Sequence, residues 1–254
     1  MRIGLIGAGN MARALARGWG EPVVVSDVAP GRAEALVAEV GGEALSSNAE
    51  VADRTDVIVL CHKPPQLEAV AAGIDGRAKA VASILAGTTL ADLRAAYPGI
   101  PVFRFIPSVA VEVRTGAVGY AEQELSGEAA ELEPRVLELF GRVGRIVPLP
   151  ESLIDVAMGL MSTSPAMFAV MVEALTDAGI RHGMPHDTAG ALVTDAMAGT
   201  AALLEAHDHD TLRLRRAVTS PGGVTAHALA ALDRAGARAA LQDALDAVLE
   251  ARLR

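Results

Sequence analysis

Arg2-Ile3-Gly4-Leu5-Ile6-Gly7-Ala8-Gly9-Asn10-Met11-Ala12 joins a strand pattern to a helix pattern through a glycine turn. Arg2–Ile6 is the apolar run of a buried strand, and Asn10–Gly18 carries a helical pattern. The turn between them is G-x-G-x-x-A. Gly7 permits a tight turn, Gly9 lets a pyrophosphate approach the backbone, and Ala12 lets the helix pack close to the sheet. The helix N-terminus then turns unpaired N–H groups and partial positive charge toward the phosphates. The motif alone is a weak signal. Placed directly after a strand and opening a helix, it meets the contextual requirements of a dinucleotide-binding turn.

Working outward, Val23–Ser26 reads as the second strand and ends at Asp27. An acid there binds a ribose 2′-hydroxyl and repels a 2′-phosphate, which points to NAD. Arg32 lies close by in sequence and leaves NADP open; Asp27 as a cap for the next helix is the structural alternative. Further strands are expected at Val57–Leu60, Ala80–Ile84, Val102–Ile106, Ala117–Tyr120 and Arg145–Val147. Helices are expected at Ala33–Val40, Gln66–Ala72, Leu90–Ala96 and Glu128–Phe140. Continuous apolar strands between helices predict a mainly parallel sheet covered on both faces. After Pro148-Leu149-Pro150 the pattern is helical throughout: Leu153–Arg181, Thr188–Ala206, Asp210–Arg216, Val224–Ala235 and Arg238–Leu253. The expected architecture is therefore α/β: a Rossmann-type dinucleotide-binding domain over 1–150, then an all-helical domain over 151–254. The first long helix is apolar on most faces (Met158, Leu160, Met161, Met167, Phe168, Val170, Met171), so it is expected to be buried, with a partner subunit completing the burial.

Composition narrows the function classes. The chain has 254 residues and a net charge of −9, which argues against general nucleic-acid binding, and no basic cluster marks a membrane surface. The uncharged run Val156–Val172 is interrupted by Ser162-Thr163-Ser164-Pro165 and is short for a bilayer span, which needs about 20 apolar residues. Cys61 is the single cysteine, so neither an intrachain disulfide nor a cysteine zinc cluster is available, in keeping with a reducing cytoplasm. The N-terminus lacks a signal-peptide pattern, and a cytoplasmic location is expected. Lysine occurs only at Lys63 and Lys79. His207-Asp208-His209-Asp210 reads as a solvated turn, because adjacent residues on a short loop diverge; no metal site is expected.

A second motif lies between two helical patterns: Thr219-Ser220-Pro221-Gly222-Gly223-Val224-Thr225. Proline fixes φ, paired glycines reach conformations closed to other residues, and such a loop turns its N–H groups toward one point. A helix starting near Val224 adds its positive end, with the Thr225 hydroxyl at the mouth. The loop reads as an anion site with a hydroxyl beside it, or as a plain helix–helix connector.

Together these segments resemble the pyrroline-5-carboxylate reductases. Gly7–Ala12 resembles that family's cofactor loop, Cys61-His62-Lys63-Pro64-Pro65-Gln66 its Val-Lys-Pro-Gln turn, and Ser83-Ile84-Leu85-Ala86-Gly87 its Ser-x-x-Ala-Gly turn. Asp177–Met184 is similar to its helix end, and Val218–Leu229 to its Thr-Ser-Pro-Gly-Gly-x-Thr loop and helix. The resemblance covers nearly the whole chain. It implies hydride transfer from NAD(P)H to a cyclic imine, giving L-proline. It also implies a cofactor site of Gly7, Gly9, Asn10, Met11, Asp27, Asn48, Lys63, Pro64, Ala86, Gly87 and Ser108. Substrate binding would fall to Ser220, Gly222, Gly223, Val224 and Thr225, with Thr225 catalytic through the ring nitrogen. A homodimer of intertwined helical domains, or a higher oligomer, follows from the same likeness.

Two segments depart from the family pattern. Met-x-Asn-x-Pro appears as Ile106-Pro107-Ser108-Val109-Ala110, and Ser-Gly-Ser-Gly-Pro as Met161-Ser162-Thr163-Ser164-Pro165. They leave open a related imine reductase with another cyclic substrate, or a non-catalytic NAD(P)-binding protein. Beta-hydroxyacid dehydrogenases share the architecture but rely on a lysine in the helical domain, and this chain has none after Lys79. The F420-dependent NADP reductases share a similar first domain but have no reason to carry Thr219–Thr225.

Overall fold

Among residues 1–252, which the computed structural model describes, eight strands form one sheet. They are β1 (Ile3–Ile6), β2 (Val23–Ser26), β3 (Gly42–Ala44), β4 (Val57–Leu60), β5 (Val81–Ser83), β6 (Val102–Pro107), β7 (Gly116–Ala121) and β8 (Gly144–Leu149). Their spatial order is β3-β2-β1-β4-β5-β6-β7-β8. Every neighbouring pair is parallel except β6 with β7. Order reverses between β1 and β4, the kind of switch point where open α/β sheets bind ligands.

Six helices connect the strands: α1 (Asn10–Trp19), α2 (Arg32–Val40), α3 (Asn48–Arg54), α4 (Leu67–Ile74), α5 (Leu90–Ala96) and α6 (Gly127–Gly141). They cover both faces. The period-2 alternation of a strand shows this directly: Val57 and Val59 of β4 enter one core, with Leu15, Trp19 and Phe103. Ile58 and Leu60 enter the other, with Val51, Leu93 and Tyr97. The expected mainly parallel sheet covered on both faces is the fold observed.

Two elements were absent from the sequence expectation. β3 is a three-residue edge strand of half-buried and exposed residues, too short to show a period. Its Gly42 has φ +117°, and a Cβ there would sit 1.9 Å from the Val23 carbonyl oxygen, so only glycine lets this edge pair with β2. α3 is short and polar, yet it carries a start signal: the Ser47 hydroxyl accepts from the Glu50 N–H at 3.2 Å, the S-x-x-E pattern of a capping box.

The first compact unit runs from Met1 to Thr163 and the second begins at Ser164. Residues 151–163 join the sheet unit for identifiable reasons. Ile154, in the short helix α7 (Ile154–Ala157), is fully buried in the second core. Arg104 on β6 is only 1% exposed. Its guanidinium meets the Glu151 carboxylate at 2.8 Å and the Asp155 carboxylate at 3.3 Å. Glu151 Oε1 also accepts the Leu90 N–H at the start of α5.

The single helix expected over Leu153–Arg181 is instead a continuous helical run with a defect. After α7 come a π turn, Met158–Ser162, and α8 (Ser164–Arg181). Pro165 has no N–H to give the regular ladder. The Thr163 N–H reaches back five residues to the Met158 carbonyl at 3.2 Å, and the Thr163 hydroxyl bonds the Gly159 carbonyl at 2.7 Å.

The second unit continues with α9 (His186–Ala206), α10 (Thr211–Ala217), α11 (Val224–Arg234) and α12 (Ala237–Arg252). Leu253, the expected last residue of the final helix, lies outside the described residues. Few side chains of this unit are buried within one chain. Phe168, Val170, Leu175, Leu192 and Leu203 are exposed. The run Glu151–Arg181 is long and apolar enough, by length and composition, to cross a membrane.

Replacing Arg104 tests the buried ion cluster. Arg104→Ala takes the buried cation away from the buried Asp155 and the partly exposed Glu151 and should destabilise the sheet unit by about 3 kcal/mol. The double variant Arg104→Ala/Asp155→Ala should lose less than the sum of the two singles, measured by thermal unfolding.

Candidate active site

A cleft of about 390 Å³ opens at the carboxyl ends of β1, β2 and β4. Gly7, Gly9, Asp27, Arg32, Asn48 and Lys63 line it, together with Ser26, Cys61, His62, Gln66 and Val70.

The two glycines have different tasks. Gly7 has φ +102°, and a Cβ there would stand 2.9 Å from the Cys61 carbonyl oxygen, so the fold itself requires glycine. Its N–H donates to the Ser26 carbonyl at 2.8 Å. Gly9 is the N-cap of α1 with φ −73°, open to any residue, and a Cβ there would meet nothing within 4 Å. No side chain caps α1 and no acid lies in its first turn, so its first N–H groups have no side-chain partner and its dipole is unmatched. A missing side chain the fold does not need, beside an uncapped helix end, is the cradle a pyrophosphate fits.

Asp27 does not cap α2, whose N-cap is Gly31 without side-chain help. One carboxylate oxygen accepts the Ala8 N–H at 2.7 Å and the other accepts the Ala29 N–H at 2.7 Å. Each oxygen keeps a second lone pair for a ribose hydroxyl. Arg32, the first residue of α2, lines the same cleft and is exposed.

The Ser26 hydroxyl donates to Asn48 Oδ1 at 2.7 Å, which leaves the Asn48 amide N–H₂ to donate elsewhere. Lys63 sits in a closed turn: its N–H donates to Gln66 Oε1 at 3.1 Å, and the Gln66 N–H returns to the Lys63 carbonyl at 3.0 Å. Burial pushes the Cys61 thiol above its ordinary value, which favours the protonated form. His62 places Nδ1 2.9 Å from the Lys63 carbonyl oxygen. Its Nε2 is buried with no hydrogen-bond partner, a condition that costs about 1–3 kcal/mol.

Other residues from the sequence reading do not line this cleft. Asn10 is exposed at the start of α1, and Met11 packs on the core. Pro64 is exposed in the turn after β4, and Ala86 and Gly87 are exposed after β5. Ser108 is 4% exposed and its hydroxyl accepts the Ala110 N–H at 3.4 Å, capping a short 3₁₀ turn. Conversely, Ser26, Gln66 and Val70 were not anticipated. For Gln66 a signal exists in the sequence, since Lys-Pro-Pro-Gln places an acceptor three residues after a turn start.

In the helical unit, Thr219–Thr225 joins α10 to α11. The Gly223 N–H donates to the Ser220 carbonyl at 3.0 Å across Pro221-Gly222. With Pro at the second position and Gly222 at φ +67°, this is a type II turn. A Cβ on Gly223 would lie 2.3 Å from Ser220 Oγ and 3.2 Å from the Ser220 carbonyl oxygen, so a side chain there would displace the Ser220 hydroxyl. Gly223 also caps α11 with its backbone only. Val224 and Thr225 therefore open the helix with N–H groups that no side chain takes, and the half-buried Thr225 brings its hydroxyl to the same end. Among the described residues no group of three or more His, Cys, Asp or Glu side chains could hold a metal ion.

A family model described as pyrroline-5-carboxylate reductase dimerisation matches residues 151–253, and one described as NADP oxidoreductase, coenzyme F420-dependent, matches residues 2–87. A pyrroline-5-carboxylate reductase of Synechocystis is 32% identical, covering 97% of this chain and 95% of the relative. The solved 1-pyrroline-5-carboxylate reductase of Streptococcus pyogenes superposes with a TM-score of 0.88 at 25% identity, over 99% of this chain and 98% of that one. The Plasmodium falciparum pyrroline carboxylate reductase, solved with NADP bound, has the same fold: TM-score 0.88, 23% identity, 99% and 97% coverage.

The glycine pair separates fold from ligand. Gly9→Val should leave the melting temperature of the ligand-free protein nearly unchanged and weaken dinucleotide binding at least about tenfold, measured by calorimetry. Gly7→Val should lower the melting temperature sharply.

Proposed function

The chain belongs to the pyrroline-5-carboxylate reductase family, and on that premise we propose that it reduces 1-pyrroline-5-carboxylate to L-proline with NAD(P)H, in proline biosynthesis. One observation carries the reading. A single chain holds both a dinucleotide cleft clamped by Asp27 and a Ser-Pro-Gly-Gly turn that opens a helix on Thr225.

The substrate has a carboxylate and a basic ring nitrogen. The N–H groups of Val224 and Thr225, with the dipole of α11 behind them, hold the carboxylate; Ser220 and Gly222 flank it, and Gly223 supplies the room. The Thr225 hydroxyl accepts the N–H of the protonated imine, keeping the proton on nitrogen and the positive character at C5. Reduced nicotinamide, when bound, supplies the hydride that C5 accepts. Because a cyclic imine protonates readily near neutrality, no strong side-chain acid is needed, and catalysis rests on placement. In the cofactor cleft, the N–H groups after Gly9 hold the pyrophosphate and the Asn48 amide bonds the adenosine side. Lys63 and its Pro64 turn, the turn at Ala86-Gly87, and Asn10, Met11 and Ser108 complete the proposed cofactor set. Asp27 receives ribose hydroxyls, which favours NADH over NADPH; Arg32 at the cleft edge is the group that would admit a 2′-phosphate.

The functional division we propose is a dinucleotide-binding domain over 1–150 and a substrate and dimerisation domain over 151–254. The exposed apolar side chains of α8 and α9 are the surface that a second subunit covers in a homodimer or higher oligomer. That partner, rather than lipid, accounts for the apolar run Glu151–Arg181. The cytoplasm is the proposed location. A second reading, reduction of a different cyclic imine, is favoured by Ser108, a short hydroxyl already bonded to its own turn, and is tested by comparing five- and six-membered imine carboxylates.

Purified protein is assayed with the imine and reduced cofactor near neutrality, and with L-proline and oxidised cofactor at alkaline pH. Cofactor-dependent turnover is expected in at least one direction, and its absence in both overturns the reading. Thr225→Ala should lower kcat/KM by about 10–100-fold, the worth of a hydrogen bond to a charged group. Asp27→Ala should narrow the NADH-to-NADPH preference by about tenfold or more, and an unchanged ratio would contradict the role given to that carboxylate.

A further inference from the structure

Ser26 ends β2 and is 3% exposed. Its carbonyl takes the Gly7 N–H at 2.8 Å, and its hydroxyl donates to Asn48 Oδ1 at 2.7 Å. Asn48, the first residue of α3, lines the dinucleotide cleft together with Ser26. One residue at the end of β2 thus holds the glycine turn through its backbone and the start of α3 through its side chain.

The direction of the second bond decides what Asn48 can offer a ligand. A hydroxyl has one proton, whereas an amide has an accepting end and a donating end. Were the amide turned over, Nδ2 would donate to the Ser26 oxygen. The Ser26 proton would then be left without an acceptor in a buried side chain, because that hydroxyl has no other partner among the described residues. An orphaned buried donor is costly, so Oδ1 faces Ser26 and Nδ2 is left over. Among the described residues, the side-chain polar atoms both shut off from solvent and unpartnered are His62 Nε2, Tyr97 Oη and Arg104 Nε. Asn48 Nδ2 has no partner and is not one of them, so it stays open to a ligand. Its neighbour on α4 is Gly73, where a Cβ would stand 3.6 Å from Nδ2, and a glycine offers no side-chain acceptor.

The acid that follows the second strand of a dinucleotide fold meets the adenosine ribose. Ser26 directly precedes that acid, Asp27, so Asn48 is held beside the adenosine half. The acceptors there are ribose oxygens and adenine ring nitrogens. We propose that Ser26 is a positioning residue: its hydroxyl fixes the Asn48 amide with Nδ2 outward, so that this position donates to an acceptor atom of the adenosine half. This rests on the dinucleotide reading of the cleft.

The test is titration calorimetry of the full-length protein with ADP-ribose and NADH, using wild type, Ser26→Ala, Asn48→Ala, the double variant and Ser26→Thr. Asn48→Ala should bind ADP-ribose about tenfold more weakly, and Ser26→Ala about fivefold. The double variant should bind like Asn48→Ala alone, because Ser26 then has nothing to position. Ser26→Thr, which keeps the hydroxyl, should recover most of the loss; if its added methyl crowds β2 and lowers the melting temperature, the double-variant comparison decides. NADH should follow ADP-ribose throughout, since both carry the adenosine half. Unchanged affinity in Ser26→Ala overturns the proposal. So does an equal penalty for Ser26→Ala with and without Asn48, which would mark a packing role, and so does a loss confined to NADH. Asn48→Asp keeps an acceptor for Ser26 but has no N–H to give, and wild-type affinity in that variant also overturns it. Failure of wild type to bind either ligand overturns the dinucleotide reading and the proposal with it, whereas wild-type binding without coupling between the two residues overturns the proposal alone. Ligand-free melting temperatures of the alanine variants, expected to lie close to wild type, show that the comparison is between folded proteins.

Discussion

The carboxylate of Asp27 is the interaction on which the cofactor half of the structure turns. Its two oxygens take the N–H groups of Ala8, in the glycine turn, and Ala29, in the turn after β2. One side chain at the end of β2 thereby ties these two turns together, beside the backbone bond from the Gly7 N–H to the Ser26 carbonyl. Hydrogen bonds to a charged acceptor are stronger than neutral ones, so the glycine turn is held in place by the protein's own contacts. The same oxygens retain lone pairs toward the cleft. The scaffolding bonds therefore leave the same carboxylate with acceptor capacity to spare. An amide at this position would set its N–H₂ against one of the two backbone donors.

A second constraint lies at the other end of the sheet. Arg104 is buried on β6, and its two carboxylate partners both come from the segment after the last strand. A guanidinium cannot shed its charge, so the chain must return acids to it. That requirement fixes where residues 151–157 lie on the sheet unit. The helical run then passes its π turn, where Pro165 withholds an N–H and Thr163 bonds back to Met158 and Gly159. The serines and threonine at 162–164, which distinguish this chain from the motif it resembles, sit in that irregular segment.

Much of this was legible in one dimension. Strands β1, β2 and β4 announce themselves as short apolar runs bounded by Gly, Asp and Pro signals, and G-x-G-x-x-A is read correctly because its neighbours are a strand and a helix. Asp27 was legible by its distance from the glycine turn, although its bonds to Ala8 and Ala29 were not. β3 escaped notice because three residues show no period and its decisive property, the close approach of Gly42 to Val23, exists only once the strands pair. α3 escaped for a weaker reason, since Ser47 and Glu50 do form the start signal. The π turn was hidden because an apolar helical pattern looks the same whether or not one residue is inserted.

His62 shows the limit most clearly. In the sequence it is one more side chain beside a lysine and two prolines. The Lys63 carbonyl selects its tautomer, and the packing around it leaves Nε2 buried without a partner.

One-dimensional signals were enough for the strands and helices other than β3 and α3, the glycine turn, the acid at the end of β2 and the turn chemistry of Ser220–Gly223. Each of these depends on residues a few positions apart, where backbone geometry and side-chain chemistry act directly. The tertiary structure alone decided which atoms of those residues remain free. Asp27 could hold a helix or a loop, Gly9 could serve the fold or a ligand, and Gly223 could give its N–H to a substrate or to Ser220. Those outcomes depend on groups distant in sequence, or on the closed path of a turn, and hydrogen-bonding capacity is assigned only when the chain brings donors and acceptors within about 3 Å of one another.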